Sequence, residues 1–264
     1  VLGVLEKNKV KEKILKGGKV VGAFCNLNST AAVEILGQLG LDFVVIDTEH
    51  GPGDVETAAA LVMAAEVRGL TPFVRVKDAE RPSILKMLDI GAMGLFIPFV
   101  KSLAEIQQVV AYGKYRPVGD RGFGFTRKNG YGLEPLVADR VEEYFAWANE
   151  NTLLIPQCET VECLEQIEDI VAVPGVDGIF IGPFDLSIAM GIPKQFEHPD
   201  FAAALQRVLE ACKGAGKLCL TMALTPEEAK RRFEEGFDGV LTVDTSLFIT
   251  GAKQHLDGIR EYGY

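Results

Sequence analysis

Acidic groups, one imidazole and one guanidinium recur in this sequence at places where an apolar run has just ended. Residues 153–187, LLIPQCETVECLEQIEDIVAVPGVDGIFIGPFDLS, read as strand, helix, strand. A βαβ crossover is right-handed and makes its two strands parallel, so Glu159, ending the first, and Asp185, just past the second, come to the same end of a sheet. Two carboxylates held together raise one another's pKa unless a cation sits between them. Oxygen donors with positions left open suit a hard divalent ion such as Mg²⁺ or Mn²⁺. An isolated acid pair is more often a pair of polar strand ends, so the weight falls on what the other strands deliver.

They deliver a coherent set. Asp47, Glu49 and His50 follow one apolar run in IDTEHG, Arg75 ends another in FVRV, and Gln157 sits two residues before Glu159. An acid pair for a metal, an imidazole for proton transfer and a guanidinium for developing negative charge are the parts needed to make and hold an enolate. His50 and Asp47 also read as structural polar residues at a strand end, whereas Arg75 inside an apolar strand needs an anionic partner. His198, in a polar loop, and His255, in the tail, read as solvated. A Schiff-base mechanism would want a desolvated lysine at a strand end. Lys77 and Lys101 occupy such positions but lie among polar residues, which favours the metal route.

Eight short β-like runs position these groups: residues 20–26, 43–49, 72–76, 94–100, 153–159, 178–182, 218–223 and 239–244. Helical patterns lie between them with recognisable starts, including Ser29-Thr30, Asp54 and Thr225-Pro226-Glu227-Glu228. Nearly continuous apolar strands mean a parallel sheet buried on both faces. Eight βα units predict an α/β fold of the TIM-barrel type, (β/α)8, as a single domain over residues 1–264, with an open doubly wound sheet as the alternative. No glycine-rich phosphate loop follows the first strand, which counts against a nucleotide-binding version of that alternative. Because barrel enzymes work at the C-terminal ends of their strands, all the residues above fall on one face.

Two segments exceed a minimal barrel. The fourth connection, residues 101–152, carries YGKYRPVGDRGFGFTRKNGYG over residues 112–132; its glycines and Arg116, Arg121 and Arg127 suit either a lid over the mouth or a surface packed on a neighbouring subunit. A helical tail spans residues 245–264 and packs on its own barrel or on a neighbour's.

Composition narrows the partners. With 264 residues, 48% of them hydrophobic, the chain can bury a large core, and a formal net charge of −10 argues against nucleic acid or an anionic membrane surface. Small molecules remain. The odd set Cys25, Cys158, Cys163, Cys212 and Cys219 has no CxxC spacing and lies mostly in apolar runs, as buried reduced thiols of a cytoplasmic protein would. The charged N-terminal stretch lacks the apolar core of a secretory signal, and no apolar run is long enough to span a bilayer.

The segments VVIDTEHGP, FVRV…ILKMLDIGAMGLFIPFV, YRPVGDRGFG, IPQCET and GVDGIFIGPFDLS, in this order and spacing, resemble the HpcH/HpaI aldolase family from Gly22 to about Phe248. The resemblance implies a (β/α)8 barrel, assembled as a homohexamer, that cleaves 4-hydroxy-2-oxo acids or 2-keto-3-deoxy sugar acids to pyruvate and an aldehyde with a divalent cation, Mg²⁺, Mn²⁺ or Co²⁺. It implies Glu159 and Asp185 as metal ligands, His50 as general base, Arg75 as the enolate-stabilising group, and Asp89 as the carboxylate that raises the basicity of the histidine. Gln157 and the backbone at Phe184-Asp185 would hold the pyruvyl portion. More distant relatives of the citrate lyase β and malyl-CoA lyase type act on CoA thioesters, and EHGP and GPFDL in this chain are closer to the free-acid aldolases. A catalytically idle barrel that binds a keto acid is the non-enzymatic alternative.

Overall fold

The computed structural model describes residues 5–264; the first four residues of the amphipathic N-terminal stretch lie outside the described residues. Strands β1 (Val20–Cys25), β2 (Phe43–Asp47), β3 (Thr71–Arg75), β4 (Gly94–Ile97), β5 (Leu153–Cys158), β6 (Gly178–Ile181), β7 (Leu218–Met222) and β8 (Gly239–Val243) close into an all-parallel barrel in sequence order. Closure comes from β8 pairing with β1 in the register Val20↔Gly239. Each of the eight apolar runs read from the sequence is a strand. The strands end one to three residues earlier than those runs, which leaves Glu49, His50 and Glu159 in the turns just beyond.

Helix α1 (Lys9–Leu15) precedes the barrel, and α2 (Thr30–Gln38), α3 (Val55–Val67), α4 (Arg81–Asp89) and α5 (Leu103–Gly113) follow β1 to β4. Ser29 and Asp54 cap their helices as the sequence predicts, and Ser102 forms a capping box with Glu105. After β5 the polar-apolar run divides into α8 (Val161–Glu165) and α9 (Ile167–Ala172), once α6 (Pro135–Asp139) and α7 (Val141–Asn151) have completed the long connection. The second half continues with α10 (Pro183–Ala189) and α11 (Pro199–Gly214) after β6, α12 (Pro226–Glu235) after β7, and α13 (Asp244–Arg260) after β8. None of the described helices is long and apolar enough to cross a membrane.

Strand alternation splits the core in two. Residues such as Val44, Ile46, Val74, Leu95 and Leu154 face the helices. Phe24, Phe43, Phe73, Phe96 and Phe180 fill the barrel interior, each removing apolar surface worth about 1.5–3 kcal/mol. Phe24, Phe96 and Phe180 meet at 5.4–6.0 Å between ring centroids. At the N-terminal end Val10 of α1 packs into this interior cluster, and the buried Asn8 donates to the carbonyls of Met93 and Asn151 at 3.0 and 3.2 Å.

The long connection is not a lid over this barrel's mouth. Helix α5 carries the chain to the opposite end, where Lys114 bonds Asp177 at 2.8 Å just before β6. Beyond it the three arginines are engaged there: Arg121 with Asp89 at 2.8 Å, Arg127 with Glu66 and the Ile90 carbonyl, and Arg116 with Asp120. Tyr115, Val137, Tyr144 and Ala148 give the segment a small core of its own. Helix α13 leaves Leu247, Phe248 and Ile249 exposed.

Candidate active site

Adjacent strands bring Asp47 and Arg75 into register at the ends of β2 and β3. Arg75 donates through Nε and Nη2 to the two Asp47 oxygens at 2.9 and 2.5 Å, a fork-to-fork ion pair in which Asp47 is fully buried. The guanidinium lies 4.7 Å over the Phe24 ring, with Nε 3.4 Å from Glu49. Burial alone would raise the Asp47 pKa, but the bonds and charge of Arg75, with the amides of His50 and Glu49, hold it below the ordinary carboxylate value. Glu49 moves the other way, raised chiefly by burial. Since Nε and Nη2 are spent on Asp47, Nη1 is the donor with no hydrogen-bond partner among the described residues.

The fork is itself held from neighbouring strands. Asn26, just past β1, donates from Nδ2 to Asp47 at 2.7 Å. Asp244, just past β8, accepts from the backbone amides of Asn26 and Leu27 at 3.0 and 3.1 Å. Neither residue stood out in the sequence, although both end strands, and a census of every polar residue at a strand end would have found them.

Across the mouth, the buried Glu159 accepts from the Phe99 amide at 2.6 Å and from Gln157 Nε2 at 2.7 Å. Phe99 reaches that position with φ +53°, a left-handed conformation uncommon for a bulky residue. A Cβ on Gly182 would sit 2.6 Å from Glu159 Oε2, so glycine is what lets the start of α10 approach the carboxylate. Burial, with the like charges of Asp185 and Glu49, pushes Glu159 up to about 7 against the opposing bonds from Phe99 and Gln157. Phe99 and Gly182 act through backbone and through an absent side chain, and neither leaves a signal in residue type.

Asp185 lies in the first turn of α10, where the amides of Phe184 and Asp185 have no intrahelical acceptor. The Phe184 ring packs edge-on against Phe196 at 5.3 Å. His50 is exposed, its Nε2 3.8 Å from Glu49. One cavity of about 200 Å³ is lined by His50, Arg75, Glu159, Phe184 and Asp185, with Phe24 and Phe180 also in its walls.

No group of three or more His, Cys, Asp or Glu side chains is arranged to hold a metal among the described residues. The donors present are the carboxylates Glu159 and Asp185. That set fits Mg²⁺ or a similar hard ion, which is commonly held by one or two carboxylates and keeps several waters. Gln157 Oε1, buried beside Glu159 without a partner among the described residues, is a free acceptor of the kind such waters use. A zinc-like site of three or four protein ligands does not fit.

Asp89 is not beside His50 in this chain. It ends α4 at the opposite face of the barrel, where its carboxylate meets Arg121, so it cannot bear on the imidazole at the mouth of the same chain. Lys77 and Lys101 are exposed, near Asp78 and over the Phe99 ring respectively, as their polar surroundings predict. His198 caps α11, His255 is exposed, and all five cysteines are buried and unpaired.

Known proteins agree with this architecture. The chain is 35% identical over 256 residues to a 5-keto-4-deoxy-D-glucarate aldolase of Salmonella arizonae, covering 96% of this chain and 97% of that protein. Its fold matches an HpcH/HpaI aldolase from Desulfitobacterium hafniense with a TM-score of 0.85 at 30% identity, over 95% and 96% of the two chains. The citrate synthase SbnG matches with a TM-score of 0.87 at 29% identity, over 97% and 99%. With residues 21–250 matching the family model for HpcH/HpaI aldolase/citrate lyase, the chain belongs to that family of carbon–carbon lyases.

Proposed function

We propose that this chain catalyses reversible, divalent-metal-dependent aldol cleavage of a 4-hydroxy-2-oxo acid, or a 2-keto-3-deoxy sugar acid, to pyruvate and an aldehyde. The observation that carries this reading is the convergence of His50, Arg75, Glu159 and Asp185 on a single cavity above the phenylalanine floor. The compound named for the Salmonella relatives fits the class. Numbered from its keto end, 5-keto-4-deoxy-D-glucarate is a 2-keto-3-deoxy-4-hydroxy acid, and breaking its C3–C4 bond leaves pyruvate and a three-carbon aldehyde acid. It is the first candidate substrate.

Glu159 and Asp185 are the groups to hold Mg²⁺, Mn²⁺ or Co²⁺, which when bound supplies Lewis acidity at the keto oxygen. The chain's own residues do the remaining work. Gln157 and the free amides of Phe184 and Asp185 orient the pyruvyl carboxylate. His50, directly or through a water, takes the proton of the 4-hydroxyl; the C3–C4 electron pair moves into the enolate, whose oxygen meets the Nη1 donors of Arg75. Because Asp47 already fixes the guanidinium, that donor is in place before charge develops.

Loss of deuterium from methyl-labelled pyruvate with Mn²⁺ tests the reading: an aldolase exchanges the methyl protons, while a passive keto-acid binder does not. A chelator should abolish exchange, and Glu159→Ala and Asp185→Ala should each lose Mn²⁺ binding by calorimetry. Full activity in chelator would return the mechanism to a lysine. A panel of aldehydes with pyruvate, read by product mass, names the second product.

The likeness to the citrate synthase SbnG favours a second reading of the same pocket, a CoA-thioester lyase of the citrate lyase β or malyl-CoA lyase type. Turnover of malyl-CoA or citramalyl-CoA would select it. A cytoplasmic homohexamer completes the proposal, supported by the family resemblance and the exposed apolar residues of α13.

A further inference from the structure

At the N-terminal face of the barrel, away from the catalytic pocket, a cavity of about 180 Å³ is lined by Lys7, Lys9, Glu66, Thr71, Arg127 and Lys128, among others. Two lysines are buried at this end of the barrel, and they are treated differently. Lys114 has three oxygen acceptors: the carbonyls of Asn149 and Thr152 and the carboxylate of Asp177. Lys128 is buried too, yet among the described residues its ammonium meets only the Met93 thioether, a weak acceptor. In the same lining the Thr71 hydroxyl is buried with no partner among the described residues.

Neighbouring charges do not make up the deficit. Arg127 is satisfied by Glu66 and the Ile90 carbonyl, and at the rim Lys9 pairs with Glu6 at 2.9 Å while the exposed Lys7 lies 3.9 Å from Glu12. The lining thus has four cationic side chains against two carboxylates, in a chain whose net charge is −10. Burial first, then the charges of Arg121 and Arg127, push the Lys128 ammonium down to about 7, with only Glu66 opposing. An ammonium without an oxygen acceptor is costly to bury.

Its direction is built in. Asn129 ties the segment by accepting from the Thr126 amide at 2.9 Å and donating to the Gly124 carbonyl at 2.6 Å. Left-handed residues at Gly130, Tyr131 and Gly132 then turn the chain away. The Lys128 side chain on this segment points inward, to Met93 of the interior cluster.

We propose that this cavity is a second ligand site, taking a small dianionic oxyanion, either a phosphoryl group or a dicarboxylate. Lys128 Nζ and Thr71 Oγ1 are its inner donors, and Lys7 and Lys9 its rim. Calorimetric titration of the intact protein with sulfate and, separately, with succinate at low ionic strength tests it. Saturable binding of sulfate alone identifies a phosphoryl ligand, and binding of succinate alone a dicarboxylate; both support the site. Lys128→Met should weaken that binding by about tenfold or more, the loss of one charge-assisted donor. Arg75→Ala, which breaks the catalytic pocket, should leave it unchanged. Should Lys128→Met fail to fold, Thr71→Val and the exposed pair Lys7→Ala with Lys9→Ala take its place, each expected to weaken binding about threefold or more. Binding of neither anion, full binding in these variants, or loss of binding in Arg75→Ala would overturn the proposal.

Discussion

Arg75→Lys keeps the positive charge, so what it removes is geometry. The guanidinium makes two bonds to Asp47 at 2.9 and 2.5 Å, lies 4.7 Å over Phe24, and still has Nη1 to offer the mouth. An ammonium on a shorter stem can satisfy one Asp47 oxygen or reach toward the substrate, but it cannot hold both in a planar fork. With Asp47 fully buried, losing one charge-assisted bond and the ring contact should cost about 2–4 kcal/mol of stability. For a chain of this size that lowers the melting temperature by about 2–4 °C per kcal/mol. Catalysis should suffer more, by about 10²–10³ in kcat, the scale for removing one preorganised oxyanion donor. The assay is kcat and KM for pyruvate formation at saturating metal, beside melting curves on the same preparations. A variant within threefold of wild-type kcat and with the expected drop in melting temperature would assign Arg75 to holding the fold, and the enolate-stabilising role would be withdrawn.

Three further outcomes follow from the same geometry. His50→Ala should lose most aldol cleavage yet retain much of any oxaloacetate decarboxylation, which reaches the same pyruvate enolate by losing CO₂ without a base; equal loss in kcat/KM for both would remove the general-base assignment. Gly182→Ala keeps an accessible backbone conformation at φ −85° but sets a methyl 2.6 Å from Glu159 Oε2, so Mn²⁺ affinity by calorimetry should fall about tenfold or more while the circular dichroism spectrum is retained. Asp89→Asn strips the carboxylate from Arg121, whose side chain is 1% exposed, and should cost about 1–3 kcal/mol in chemical denaturation. If it instead moves the pH–rate profile and leaves stability unchanged, Asp89 serves an imidazole after all, and contact with another chain's mouth would be needed to explain it.

The barrel was legible because its information is repetitive. Each strand is an apolar run bounded by turn residues, and the error at each end is small beside the spacing between strands. The gathering of the candidate site was legible where residue type carries the meaning, as in Arg75 placed in an apolar strand and in the two acids of one βαβ unit, which line one cavity. Legibility failed in two ways. Glu159 is positioned by the Phe99 amide and by the missing side chain of Gly182, features no residue pattern announces. Residues 112–132 carry arginines and glycines as an active-site lid would, but they follow a helix and not a strand. That puts them at the far end of the barrel, a fact of topology that composition does not contain.

The same topology explains why the polar network can be stiff. Asp244, Asn26, Asp47 and Arg75 end or follow β8, β1, β2 and β3, which are consecutive around the closed barrel, and each holds the next. Closure between β8 and β1 is therefore what connects the first link of this chain to the rest; in an open sheet Asp244 and Asn26 would lie at opposite edges. The guanidinium at its end shares the mouth with four carboxylates, Asp47, Glu49, Glu159 and Asp185, and its bonds go to the first. Glu159 and Asp185, on the other side of the mouth, have no comparable cation among the described residues, and the like charge between them helps to push Glu159 up to about 7. A divalent ion held by those two would remove the imbalance without disturbing the Asp47–Arg75 pair, which is the electrostatic reason for proposing it there.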